Sequence, residues 1–115
     1  MKYEVLDTEK GSIAIVNELE KQIESSSDFL DIMMSIDAET FVLKKVFLTD
    51  DFFELRTGIA GEMLQKVINY RRRLVIIGDF HNISSKALRD FIYESNKAGK
   101  IIFHEDMQQA VSLLK

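Results

Sequence analysis

The apolar positions of the chain fall into short runs separated by polar punctuation. Tyr3 to Leu6 and Ser12 to Val16 are β-rich runs, and between them "DTEKG" is a polar turn with Gly11 available for positive φ. The pattern predicts a β-hairpin. "NELEKQIESSS" follows as a polar connection with room for a short helical turn. Ser25 to Ser27 offer an N-cap, and Phe29, Ile32, Met33 and Ile36 then recur at helical spacing. Phe41 to Leu48 predicts a third strand. A second helix is predicted to begin near Asp50 to Glu54, with Leu55, Ile59, Met63 and Val67 on one stripe and Ala60 and Leu64 beside it. Its first turns carry Asp50, Asp51 and Glu54 and its last Arg71, Arg72 and Arg73, which suits the helix macrodipole.

"RLVIIGDF" is apolar on both faces and predicts a central strand covered on both sides. "NISSKALRDFIYESNKAGK" predicts a third helix, with Ser84 or Ser85 as N-cap and Gly99 as its stop. "KIIFH" is the last strand, and Met107, Ala110, Val111 and Leu114 form one face of a closing helix. The order β-β-α-β-α-β-α-β-α implies right-handed crossovers. The predicted fold is a single α/β domain over residues 1–115, with a mostly parallel sheet of about five strands that opens on an antiparallel hairpin. No repeat, low-complexity segment or proline interrupts it.

Composition narrows the function classes. With 115 residues, 30% charged and 46% apolar, the chain is sized for one ordinary globular domain. A net charge of -4 disfavours a nucleic-acid partner. No apolar run approaches the ~20 residues of a membrane span, and "MKYEVLDTEKG" has no apolar core for a signal peptide. The absence of Cys excludes a disulfide framework and a thiolate nucleophile, and fits a cytoplasmic setting. No Gly-rich nucleotide motif or serine-nucleophile arrangement occurs, so neither a cofactor nor a resident metal is expected.

The run "RTGIAGE" raises the sharpest question, because two glycines weaken a helix start by about 1 kcal/mol each relative to Ala. One reading makes Arg56, Thr57, Gly58 and Gly61 a regulatory or anion-binding helix start. The other makes Gly58, Ala60 and Gly61 small for close packing. Phe52 and Phe53 adjoin this run. Adjacent helical positions point about 100° apart, so one ring is left either for a partner or to cap the domain edge. A second candidate is the carboxyl edge of the sheet, where Asp79 and His81 follow the central strand and His104 follows the last. With Asp50, Asp51, Asp79, Glu105 and Asp106 along the same edge, the two His make one candidate divalent-metal set, while N-capping of the last helix by Asp106 or Glu105 and solvation account for the same residues without a ligand. Arg71 to Arg73 are read as a helix C-terminal cluster, with no Gly-rich loop to make them a phosphate site.

The element order, together with "LRTGIAG", resembles the STAS domains of sporulation anti-sigma-factor antagonists. In those domains a strand leads to an Asp-Ser-Ser-Gly-Leu-Gly turn whose second Ser is phosphorylated. Thr57-Gly58 stands where Ser-Gly would, Ile59 where Leu would, and Ala60 or Gly61 where the second Gly would. Thr replaces Ser, Arg56 replaces the first Ser, and "DDFFEL" lengthens the approach. The runs "DFFELRTGIAGEMLQKVINYR" and "FIYESN" resemble more closely, over nearly the whole chain, a small bacterial family classed as a domain of unknown function. These resemblances imply a non-enzymatic regulatory or interaction module acting through the helix start near Thr57, with a protein partner or a second copy in a homodimer. The alternative is a small ligand- or metal-binding protein, or an enzyme, using the carboxyl edge.

Overall fold

The computed structural model describes all residues from Met1 to Lys115. Strands β1 (Lys2–Thr8) and β2 (Gly11–Glu18) form the predicted antiparallel hairpin. Strands β3 (Thr40–Lys44), β4 (Arg73–Ile77) and β5 (Ile101–His104) then add in parallel, giving a five-stranded sheet in sequence order β1-β2-β3-β4-β5. Helices α1 (Ser26–Ser35), α2 (Ile59–Asn69) and α3 (Lys86–Ala98) link successive parallel strands, and α4 (Met107–Ser112) closes the chain.

Each step to the next parallel strand runs the same way across the sheet. Right-handed crossovers in one direction deposit their helices on one face. Strand periodicity shows the result. Phe41, Leu43, Leu74, Ile76, Ile101 and Phe103 point into the larger core, with Phe29, Ile32 and Met33 of α1 and Ala60, Met63 and Val67 of α2. Phe91 and Ile92 of α3 pack against that core as well. The intervening Val42, Val75 and Ile102 point to the opposite face, where Ala110 and Leu114 cover them. β4 is thus apolar on both sides, as its sequence predicts.

Three caps stand where the sequence puts them. Ser25 Oγ accepts from the Asp28 amide, Ser85 Oγ from Leu88, and an Asp106 carboxylate oxygen from Gln109. Each satisfies an amide that the first helical turn leaves without a partner.

Three boundaries differ from the sequence reading, the first being the end of α2: it stops at Asn69, leaving Arg71 at φ 55° and Arg72 in the turn and Arg73 as the first residue of β4, and not in the helix's last turns. The strand expected over Phe41–Leu48 ends at Lys44, and Lys45–Phe47 coil into a 3-10 turn. There the polar connection before α1 competes for the backbone: the Ile23 amide donates to Phe47 O at 2.7 Å and the Thr49 amide to Ile23 O at 3.3 Å. The helix expected from Asp50–Glu54 begins only at Ile59. Two 3-10 turns, Asp50–Phe53 and Leu55–Thr57, precede it. Gly58, at φ 82°, is the break, since an L side chain in that left-handed conformation is strained.

Candidate functional site

The carboxyl ends of β3, β4 and β5 carry the densest set of chemically useful side chains. Asp79 stands just beyond β4, and one of its oxygens accepts from both the His81 backbone amide and His81 Nδ1, each at 2.9 Å. Those two bonds, the backbone one first, hold the Asp79 carboxyl below the usual carboxylate range. A carboxylate of Glu105 lies 3.9 Å from the same Nδ1. His104 faces the other way in function: its Nδ1 accepts from the Asp106 amide at 2.9 Å, so a neutral His104 carries its proton on Nε2. Both histidines and Glu105 line an open cleft of about 330 Å³ with Phe80 and Phe103.

Lys45 completes the edge. Its ammonium lies 4.9 Å from the Phe80 ring centre and 5.5 Å from that of Phe53, and it donates to Asp79 O at 2.6 Å. Gly78 lets the lysine stem cross, because a Cβ there would stand 2.5 Å from Lys45 Cβ. The sequence reading missed Lys45. Its only sequence signal is a charged pair inside the apolar run "VLKKVFL". Lys45, Phe53, Phe80, Asp50 and Glu54 line a second cleft of about 350 Å³.

The chemistry of this edge is limited. No group of three or more His, Cys, Asp or Glu is placed to hold a metal ion. Asp79 and His81 are both largely exposed, which leaves their pairing well screened by solvent. The strand order never reverses, so adjacent crossovers do not diverge to open the crevice that doubly wound sheets use for ligands.

Around "RTGIAGE" the geometry is different. Phe52 is 1% exposed and belongs to the core, while Phe53 is half-buried and packs against it. Their rings meet edge to face at 4.8 Å. Phe53 thus caps the edge of its own domain, one of the two outcomes the sequence allowed, with its ring centre 6.2 Å from that of Phe80. Arg56 and Thr57 are exposed, as is Gly61. The Thr57 hydroxyl lies 2.7 Å from Asp51 O and 2.9 Å from Glu54 O, and accepts weakly from the Ile59 amide at 3.3 Å. Close packing within the chain does not account for the glycines: a Cβ at Gly58 or Gly61 would meet nothing within 4 Å. Ala60, between them, is the one small residue that packs inward.

No helix is long and apolar enough to cross a membrane. Comparison with curated proteins and with solved structures returned no match. A family model described as "Domain of unknown function (DUF4180)" matches residues 8–114, nearly the whole fold including both candidate sites, and the chain belongs to that family.

Proposed function

We propose that the chain is a non-enzymatic interaction module whose contact surface is the exposed approach to α2, from Arg56 to Glu62. The observation that carries this reading is Gly61. It sits in the first turn of an α-helix with ordinary backbone angles, exposed, with open space where a side chain would be. Gly there costs about 0.5–1 kcal/mol relative to Ala, and nothing within the chain compensates. Close approach by a second backbone supplies a reason for it. The surrounding Asp50, Asp51, Glu54 and Glu62 favour a partner with a basic face.

The likeness to phosphorylated STAS turns supports the location more than the chemistry. The Thr57 hydroxyl already serves the turn as a donor, so the contact is assigned to the glycine face and not to a phosphothreonine. The absence of a strand-order reversal and the open, solvated carboxyl edge make a binding surface the better account than an enzyme cleft.

Gly61→Ala and Gly61→Leu test this together. Neither should lower the melting temperature, because both side chains enter free space. Association, read by sedimentation for the purified chain and by crosslinked capture from the native host, should weaken with Ala and vanish with Leu. Capture that survives Gly61→Leu unchanged, or no association of any kind in the wild type, would reject the surface.

A further inference from the structure

We infer that the opposite, amino end of the sheet is a binding site for a small, multiply charged anion of the phosphate type. Six cations from separate parts of the chain meet there: Lys10, Arg71, Arg72, Arg73, Lys100 and Lys115. They line a cleft of about 450 Å³, within the range of small-molecule sites. Glu39 carries its only carboxylate side chain and Ile68 its only apolar one. This concentration occurs in a chain of net charge -4.

The cations are positioned without being neutralised. Lys10 Nζ donates to Leu114 O at 2.8 Å, Lys100 Nζ to Lys115 O at 2.8 Å and Lys115 Nζ to Lys97 O at 2.9 Å. Arg73 Nε donates to the buried Thr40 hydroxyl at 2.9 Å, and its terminal nitrogen to Lys10 O. Arg72 donates to Tyr70 O at 2.9 Å. Apart from Lys115 O, on the last residue of the chain, these acceptors are neutral carbonyl or hydroxyl oxygens, and none of the six cations is within 4.0 Å of a carboxylate side chain. Glu39, the nearest candidate, is engaged by the Ser12 amide at 2.9 Å. Fixed like charges facing one cleft raise the local potential and concentrate anions.

Two further observations concern the arginines that line the cleft. Arg72 Nε is buried and is the one buried side-chain polar atom without a hydrogen-bond partner. Arg71 is the only non-glycine residue with positive φ, at 55°, in the turn between α2 and β4. Gly or Asn would take that conformation more cheaply. The turn keeps an arginine there instead and so presents three guanidinium groups in succession. Guanidinium forks match tetrahedral oxyanions in paired bonds, and a phosphate group brings more charge per volume than a carboxylate. With Ile68 as the sole apolar lining, recognition is of charge and not of an aromatic ring or acyl chain. Helix capping at α2 accounts for one or two of these cations, but not for Lys10, Lys100 and Lys115, which arrive from the hairpin turn, the start of β5 and the segment after α4.

The test is calorimetric titration of the full chain with inorganic pyrophosphate, with citrate as a non-phosphate anion and a short DNA duplex as a macromolecular one. Pyrophosphate should bind, and its affinity should fall at least tenfold between low and 0.5 M salt, as for any charge-driven contact in solvent. Arg72→Gln and Lys100→Gln should each weaken it about tenfold or more, whereas Lys21→Gln, which removes one charge elsewhere, should not. Lys100 is exposed, so its variant carries the test even if Arg72→Gln melts early. Absence of pyrophosphate binding, equal affinity for citrate, tighter binding of the duplex, or an unchanged affinity in the folded cleft variants would each overturn the assignment.

Discussion

Thr57 shows how a single hydroxyl decides a local structure. A threonine side chain competes with the backbone for nearby hydrogen bonds, and here its one hydroxyl proton lies between Asp51 O and Glu54 O, which also accept from the Glu54 and Thr57 amides. That holds the two 3-10 turns before α2. Thr57→Val should therefore lower stability by about 0.5–1.5 kcal/mol, while Thr57→Ser should retain most of it. Thr57→Asp should be worse than Val, because a carboxylate donates nothing and faces two carbonyl oxygens. Denaturant melts of the three variants check the order. If Asp is as stable as wild type, the hydroxyl contacts are unimportant and the regulatory reading of Thr57 regains its standing. The residue identities were legible in the sequence, and so was their oddity for a helix start. Which backbone atoms the hydroxyl reaches was not, because those lie up to six positions away through a turn that periodicity does not encode.

At the scale of elements, α2 combines signals that periodicity reads well with one that it reads badly. Met63 and Val67 lie on the predicted apolar stripe and are fully buried, while Leu64 beside them is half-buried. Met63→Ala should cost about 2–5 kcal/mol by opening a cavity against the sheet. Gly58→Ala should cost about 1–2 kcal/mol, because φ 82° strains any L side chain although no atom is in the way. Equilibrium unfolding of both variants makes the comparison. A neutral Gly58→Ala would mean that the helix start relaxes to a different cap. The helix was expected to begin five to nine residues too early, since Asp50, Asp51 and Glu54 are the acidic first-turn residues a helix favours. They serve 3-10 turns instead, from which Phe52 enters the core and Phe53 packs on its edge.

Over the whole molecule, the sheet is graded from a covered centre to an open edge. β4 is paired on both sides and covered on both faces, whereas β1 pairs only with β2 and is exposed along its full length, Tyr3, Val5 and Leu6 included. Amide hydrogen exchange should follow that gradient, with β1 exchanging first through local opening and β4 last, near the global unfolding free energy. Protection of β1 equal to that of β4 in the isolated chain would show that its free edge is covered by another copy. Charge is graded as well. Asp50, Glu54, Asp79 and Glu105 gather at the carboxyl end of the strands, and six cations gather at the amino end. The sequence by itself determined the element order, the parallel sheet with its opening hairpin, the two-faced burial of β4 and the caps at Ser25, Ser85 and Asp106. All of these follow from hydrophobic period and from side chains that bond within three residues of themselves. Only the tertiary structure decided that Lys10, Arg71–Arg73, Lys100 and Lys115 share a cleft and that Lys45 lies between Phe53 and Phe80. It also decided that Gly61 faces nothing in its own chain. Those contacts join positions tens of residues apart, and their geometry is set by strand order and crossover direction, which no local pattern of residues carries.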